Sequence, residues 1–569
     1  MANQITDNRT LLFDGGDGTG GTPVAIGGVT VIADTSTYLE GSSSFTCSVS
    51  NSEDGMLFDA GSDQNYSGNI FYLTVNCGVV GLLVAKASGG LRIRFGGSSG
   101  AGTTDYFEVY VAGNDFWPNS IQGGWTNFVV DIDDARAAAV TNGWTAGTVP
   151  ATSAIRYVGV ITLLGSMPKM ADNLWLDTIH RLPSTSPGII IEGRNGGTTD
   201  WNSANILTQL GSGQMAFYSG AGGAYVLSTP IQFGINDTTT HGFTDTNFVW
   251  LWDNQEYAPA GFYGLSALGN SGGTTNVTFG VKSGSGDSAT GSQGGIIQAA
   301  SSGVRWIMDF DDANLDTAGF YGCSFIHGGD LQLDGAAVEA ISTSYLDCSS
   351  ATITGSVQLR NFIINANTAD GVAFMTTDDL GDIKYTSFEF SDGHAIELTT
   401  PRVASQTSLG NTFSGYGATG SNDAAVYNNT AGAVTINVTS GDAPTYRNGT
   451  SATTSVVSSA SYVVSNVIVG SEVRFIDVSS PITELAGVEN AGGSPEGISN
   501  VTVANDPDNT GRKTVTYTYD QADAPISARI VVQHVDYIYI SNNVTLPTTG
   551  GSLFVSQVAD RNYLEGSVP

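Results

Sequence analysis

Five short stretches, Cys323-Ser324-Phe325, Thr343-Ser344-Tyr345, Arg360-Asn361-Phe362, Thr386-Ser387-Phe388 and Asn411-Thr412-Phe413, decide how the middle of this chain folds. In each, small or polar residues lead into an aromatic one, and the aromatic positions stand 20, 17, 26 and 25 residues apart. That interval is about one coil of a solenoid of short strands, in which equivalent inward side chains stack from coil to coil. Gly, Asn and Asp turns lie between the stretches, and the uneven spacing fits loops inserted at those turns. Phe248-Val249-Trp250-Leu251-Trp252, Val277-Thr278-Phe279-Gly280-Val281 and Trp306-Ile307-Met308-Asp309-Phe310 read as preceding coils. A right-handed parallel β-helix is therefore expected over 188–464. Its last coil needs a cap, because an open edge invites edge-to-edge pairing.

Working outward, Pro183-Ser184-Thr185-Ser186-Pro187-Gly188 breaks the pattern on the N-terminal side. Before it, short alternating runs such as Ile70 to Val75, Leu91 to Phe95, Tyr106 to Val111, Phe128 to Ile132 and Tyr157 to Leu163 predict a two-sheet sandwich over 39–183. Residues 1–38 read as an arm and the first strands. Asp133 to Val140 is the one helical candidate, with Asp133 and Asp134 as caps. On the C-terminal side, beyond the Ser- and Val-rich Ser451 to Val464, Glu472 to Asp477, Thr514 to Tyr519, Ser527 to Gln533 and Tyr537 to Ile540 predict a second sandwich over 465–569. The fold class expected is all-β throughout.

Composition agrees and narrows the function. Glycine occurs 74 times in 569 residues, while 40% hydrophobic and 9% aromatic content still permits buried cores. Twenty Lys and Arg against 53 Asp and Glu give a formal charge of −33, which repels nucleic acid and anionic lipid. Neutral glycans, divalent cations and other proteins remain as partners. Cys47, Cys77, Cys323 and Cys348 form no CxxC pair; they read as core residues, with two disulfides left open. The N-terminus lacks the basic region and apolar stretch of a signal peptide, and no run of about 18 apolar residues occurs, so neither export by that route nor membrane insertion is expected.

Cleavage of a glycan needs two carboxylates across one bond. Asp309, Asp311 and Asp312 beside Trp306 are the catalytic candidates, since Asp309 and Asp311 have same-face strand spacing. Asp378, Asp379 and Asp382 read as a turn around Gly381, and His394 as a turn residue after Ser391-Asp392-Gly393. Glycan binding needs an exposed ring with amides and carboxylates beside it. Trp117 and Trp144, set among Pro, Asn and Gly, with Asn114 and Asp115, are the binding candidates, whereas Trp125 and Trp175 read as core. The glycine-rich run from Asp14 to Gly21 carries no phosphate-binding motif. Asp14 and Asp17 there are calcium candidates, and no other cofactor is expected.

Three segments resemble known families. Leu11-Leu12-Phe13-Asp14-Gly15-Gly16, Leu39-Glu40-Gly41-Ser42-Ser43-Ser44-Phe45 and Asp172-Asn173-Leu174-Trp175-Leu176-Asp177-Thr178-Ile179 resemble a jelly-roll carbohydrate-binding or lectin-like module, in which the first and last strands pair. Ala424-Ala425-Val426-Tyr427-Asn428-Asn429-Thr430, Val434-Thr435-Ile436-Asn437-Val438 and Pro444-Thr445-Tyr446-Arg447-Asn448-Gly449 resemble the terminal coils of β-helical phage structural proteins. Gly470-Ser471-Glu472-Val473-Arg474-Phe475-Ile476-Asp477, Thr483-Glu484-Leu485-Ala486-Gly487 and Val535-Asp536-Tyr537 resemble the transthyretin-like or carboxypeptidase-regulatory type of Ig-like module. Together the resemblances imply a virion component made in the host cytoplasm: a homotrimeric tail fibre, tailspike-like protein or head fibre. It would contact other virion proteins and a host-surface glycan. Two rival readings stand beside it, a tailspike depolymerase using Asp309, Asp311 or Asp312, and a secreted bacterial adhesin or polysaccharide-binding protein.

Overall fold

The computed structural model describes residues 5–560 except 17, 52, 78–89, 112–124, 164–171, 212–215, 221–222, 253–257, 259–260, 301–302, 367, 402–403, 480, 493–499, 521–522 and 548–549. The chain is all-β. Among the described residues, α-helix is confined to Ile132–Asn142 and Ser203–Leu210. The first starts at Asp131, whose side chain accepts from the amides of Asp133 and Asp134, and stops at the left-handed Gly143. The cap thus lies two residues ahead of the expected acids. The second carries a capping box of Asn202 and Asn205, which stands in for the usual Ser/Thr with Glu.

The N-terminal part is a sandwich of two antiparallel sheets. One holds Trp125–Asp131, Asn69–Cys77, Asp172–Pro183, Ser44–Val49 and Val31–Asp34, with Thr10–Asp14 also on Asp172–Pro183. The other runs Thr145–Ala146, Tyr106–Val111, Gly90–Gly96, Ile155–Leu163, Gly55–Gln64 and Val24–Ile26. Alternate residues of both sheets, including Phe13, Phe71, Leu73, Ile93, Phe95 and Phe107, close the core between them. Residues 10–34 therefore contribute strands to both layers.

From Ile189 to Ser458 the pairing between coils is parallel, with antiparallel hairpins at Phe217–Ser219 with Tyr225–Leu227 and at Val281–Ser283 with Thr290–Ser292. Successive strands fall in rotation onto three ladders, each strand pairing with the one a coil earlier and a coil later. Trp306–Asp309, Gly328–Gln332, Ser350–Thr352 and Ala373–Thr377 stack on the first ladder. Thr317–Tyr321, Val338–Ile341, Val357–Leu359 and Ile383–Lys384 form the second, and Ser324–Ile326, Ser344–Leu346, Phe362–Ala366 and Ser387–Ser391 the third. Inward side chains from all three meet in one apolar cluster running from Ile189 to Val438.

The third ladder corrects the register read from the sequence. Phe325 pairs with Tyr345, Tyr345 with Ile363, Ile363 with Phe388, and Phe388 with Phe413. Phe362 pairs with Ser344, on the other face, and is 53% exposed. The inward residue of that coil is β-branched rather than aromatic, so choosing the ring slipped the reading by one, and a one-residue slip turns a side chain to the opposite face.

Two corners of each coil are made by residues in the left-handed region. Between the second and third ladders these are Gly280, Gly322, Ser342, Arg360, Tyr385, Gly410 and Gly441. The residue after the corner points in and satisfies backbone that the bend frees. Asn361 Oδ1 accepts from the Thr343 amide at 2.9 Å and its Nδ2 donates to the Ala340 carbonyl at 3.2 Å. Asn411 repeats this two stretches on, accepting from the Thr386 amide at 3.1 Å and donating to the Ile383 carbonyl at 2.9 Å. Buried amides here are structural hydrogen-bond partners.

Both ends of the stack are covered. Ile5–Asp7 pairs antiparallel with Ile189–Ile191, and the outer face of the N-terminal sandwich packs on the first coils through Ile70, Tyr72, Val129 and Leu182. The Tyr72 hydroxyl lies 3.0 Å from Thr229 Oγ1 and Asn127 Nδ2 donates to Ser228 Oγ at 3.0 Å across that joint. At the far end the 16-residue strand Thr453–Ile468 pairs in parallel with Ala433–Gly441 and then antiparallel with Arg512–Asp520, so one strand carries the stack into the last sandwich. Its second sheet holds Thr483–Ala491, Ser471–Asp477, Ile526–His534 and Tyr537–Leu546. Cys47, Cys323 and Cys348 are free buried thiols, so the possible Cys323 to Cys348 bridge is not made. The side chain of Cys77 lies outside the described residues.

Candidate functional sites

Alternation along two neighbouring strands builds the first site. In Gly90–Gly96, Leu91, Ile93 and Phe95 enter the core, which turns Arg92 and Arg94 to the outer face. In Tyr106–Val111, Phe107 and Val109 do the same and turn Tyr106, Glu108 and Tyr110 outward. The register sets Arg92 opposite Tyr110 and Arg94 opposite Glu108. Arg94 Nε donates to Glu108 Oε2 at 3.0 Å, and Arg92 Nη1 also donates to Glu108. Glu53, from the edge of the same face, accepts from Arg92 Nη2 at 2.6 Å and from Arg94 Nη2 at 2.5 Å. The result is a ring of two guanidinium groups and two carboxylates with no net charge.

Aromatic rings border this network. The Arg94 guanidinium lies 3.7 Å from the centre of the Tyr106 ring, and Arg92 lies 5.8 Å from that of Tyr110. Trp144, one of the glycan-binding candidates, meets Tyr110 edge-on with centroids 4.5 Å apart. All three rings are half-buried. Burial alone would raise the Glu53 carboxyl, but hydrogen bonds and charges from Arg92 and Arg94 outweigh it and hold Glu53 below its ordinary value. A carboxylate held ionised is no proton donor at neutral pH, and Arg92, Arg94 and Glu108 are themselves buried, so this face presents the three rings and the Glu53 carboxylate to solvent and no acid for cleavage. Sequence reading missed Arg92, Arg94, Glu108 and Glu53. The signal was two of only twenty basic residues placed two apart on one strand.

The catalytic candidates sit on the first ladder. Phe310 is buried, and Asp309 and Asp311 face outward on either side of it. Asp309 stands in an outward row with Gln232, Ser266, Gln332, Thr352, Thr376, Glu397, Tyr427 and Arg447, one residue per coil. Partial burial and then the neighbouring Asp311, with Asp334 behind it, push Asp309 up to about 6. Asp312 does not join the pair. It closes a turn by accepting from the Asn314 amide at 2.8 Å. Asp379 likewise caps the turn at Gly381. His394 opens the strand His394–Leu398 instead of lying in a turn: it is fully buried, with Nδ1 2.6 Å from the Ala424 carbonyl and its ring stacked on Tyr427.

Trp117, Asn114 and Asp115 lie outside the described residues, as does Asp17. Trp125 is buried, whereas Trp175 is half-buried on the outer face and its Nε1 donates to Asp34 at 2.8 Å. Asp14 accepts from the Gly16 amide at 2.6 Å and stands near Asp177, whose burial, aggravated by Asp14, pushes its carboxyl up to about 7. One Asp177 oxygen accepts from the amides of Leu39 and Glu40, while Oδ1 is buried with no hydrogen-bond partner among the described residues. That all-oxygen set with an orphaned atom fits calcium in kind. No group of three or more His, Cys, Asp or Glu able to hold a metal occurs among the described residues. Nor, among them, is any helix long and apolar enough to cross a membrane.

No protein-family model and no curated protein matches this chain. Among solved structures, two variants of the catalytic domain of a GH87 alpha-1,3-glucanase in complex with nigerose align with 77% of this chain and 84% of their own length, at 10% and 11% identity, each with a TM-score of 0.19. Similarity of that depth assigns neither a fold nor a reaction to this chain.

Proposed function

We propose that the chain is a glycan-binding structural subunit of a phage particle. In this reading a right-handed parallel β-helix forms the shaft, a lectin-like jelly roll at its N-terminal end binds host-surface glycan, and an Ig-like module closes the other end. The observation that carries the binding role is the group of half-buried rings, Tyr106, Tyr110 and Trp144, beside Glu53 and backed by the buried, neutral network of Arg92, Arg94 and Glu108. That network, with Arg94 against the Tyr106 ring and Arg92 near that of Tyr110, holds the rings in place before any ligand arrives, which lowers the ordering cost of binding. The shaft is supported by the strict rotation of strands over three parallel ladders, and the particle by the resemblance of residues 424–449 to phage structural coils.

A homotrimer is part of the proposal. The edge strand Tyr537–Leu546 bears no charged residue; Tyr537 bridges Ala559 and the Ile538 amide donates to the Val558 carbonyl at 2.8 Å, which leaves Tyr539–Leu546, with Tyr539 more than half exposed, as the stretch with no outer partner strand among the described residues. An uncharged edge in a chain of net charge −33 is a place where a second copy can approach, and unprotected edges are normally covered. Light scattering of the purified chain at three times the chain mass supports this. A monomer contradicts it.

The binding role is tested on an array of bacterial surface glycans. Wild-type chain retains a defined set of glycans, and Trp144→Ala or Tyr110→Ala weakens that set by about three- to tenfold, the worth of one aromatic contact. Unchanged binding by both variants refutes the assignment. A second reading, depolymerase, rests on the raised Asp309 next to Asp311: a protonated acid beside a carboxylate is the equipment of glycoside hydrolysis. New reducing ends released from host polysaccharide by wild type and lost in Asp309→Asn would establish it.

A further inference from the structure

The second corner of the coils, between the third and first ladders, is also a column of left-handed residues. His327, Asp347, Asn365 and Phe390 have φ of 57°, 51°, 50° and 57°, and Gly415 ends the series, so this corner carries side chains in a region that favours glycine, as the first does at Ser342, Arg360 and Tyr385. Asp, Asn and His tolerate this region, whereas a bulky ring is strained in it, as Phe390 is here and Tyr385 is at the first corner. Phe390 is 56% exposed, so no core contact explains it.

Asp347, Asn365, Phe390 and Gly415, with Ala366, Ser391 and Asp392, line an open groove of about 460 Å³. Its size lies within the ~300–1,000 Å³ of small-ligand sites. Phe390 forms the wall. A Cβ on Gly415 would come within 2.8 Å of Phe390 Cδ1, so glycine there lets the ring lie against the next coil. Asp347 is held in place: Arg305 Nη2 lies 3.3 Å from its Oδ1, and His327 Nε2 lies 3.4 Å from its Oδ2. Arg305 Nη1 is engaged with the Gly328 carbonyl at 3.0 Å and with the Asp347 carbonyl. The Ser391 hydroxyl is 2.5 Å from Thr368 Oγ1 and accepts from the Gly393 amide. Asn365 and Asp392 are exposed on the rim.

We propose that this corner groove holds one or two neutral sugar units, independently of the jelly-roll platform. An exposed ring beside an amide and carboxylates matches a sugar's apolar face and its hydroxyls. The two carboxylates oppose acidic sugars, and the one nearby guanidinium is already occupied by Asp347 and backbone carbonyls. A sequence reading could have flagged the position only by noticing Phe390 next to Ser391-Asp392-Gly393.

The test is saturation-transfer difference NMR of the full chain with maltose, lactose and N,N′-diacetylchitobiose, and with digalacturonate as an acidic counterpart. At least one neutral disaccharide is expected to receive saturation and digalacturonate none. Phe390→Gly, which relaxes the left-handed backbone while removing the ring, should weaken the signal about three- to tenfold with the melting temperature unlowered, and Asn365→Ala should weaken it as well. Measured in a Trp144→Ala background, which removes the platform's share, a signal should remain and Phe390→Gly should weaken it. Absence of any neutral-sugar signal, an undiminished signal when Phe390→Gly is added to Trp144→Ala, loss of the signal in Trp144→Ala alone, or stronger saturation of digalacturonate would overturn the proposal.

Discussion

Tyr345 stacks on Ile363, and the neighbouring Phe362 faces solvent. That relationship fixes which side of the third ladder is core for every coil from Phe325 to Phe413. Ile363→Ala should destabilise the chain by about 2–5 kcal/mol, the cost of truncating a buried aliphatic side chain. Phe362→Ala should stay within about 0.5 kcal/mol. Denaturant unfolding of the two variants separates the registers.

The inward asparagines at the first corner are hydrogen-bond hubs, each satisfying one amide and one carbonyl of the bend. Asn361→Leu and Asn411→Leu preserve bulk but leave buried backbone groups unpaired, and each should cost about 1–3 kcal/mol. Hydrogen exchange should show the loss at the Thr343 amide in the first variant and at the Thr386 amide in the second.

Asp309 titrates high because partial burial and then Asp311 penalise its charge. The folded chain therefore keeps a proton on Asp309, between its ordinary value of 3.8 and about 6, that the unfolded chain has released. The sign follows: in that window stability falls as pH rises. Carboxyl NMR should find a midpoint near 6 that moves down in Asp311→Asn, and Asp309→Asn should flatten the local pH dependence of unfolding.

Asp177 brings a buried carboxyl with a folded value of about 7, close to Asp14. If calcium binds there, a cation that binds only the folded chain stabilises it by mass action, so millimolar calcium should raise the melting temperature and chelation should lower it. Asp177→Asn should abolish the calcium effect. Without calcium the same variant should be more stable than wild type above pH 7, because it removes a carboxylate that must be charged in the interior.

Much of the all-β architecture was legible because it rests on period. Alternation marked the sandwich strands, and the recurring Ser324, Ser344 and Ser387 contexts marked coils of the stack. Position within a coil was less legible, since Ile363 and Phe362 are both apolar and only the three-dimensional ladder says which one points in. The residues of the two proposed binding surfaces were largely hidden for a different reason. Arg92, Arg94 and Glu108 are far from Trp144 in the chain, and Asp347, Asn365 and Phe390 belong to three separate coils; stacking alone makes each set a surface. Asp309 and Asp311 were readable because their pairing is local, needing only that Phe310 point inward.

The account depends on residues 189–458 forming in-register parallel coils. A cryo-electron microscopy map of the assembled chain tests this most directly. The account predicts rungs about 4.8 Å apart along one axis, with Tyr345, Ile363 and Phe388 in one internal column and Phe362 outside it. A map showing this region as a compact α/β unit, or with Phe362 in the internal column, would contradict it.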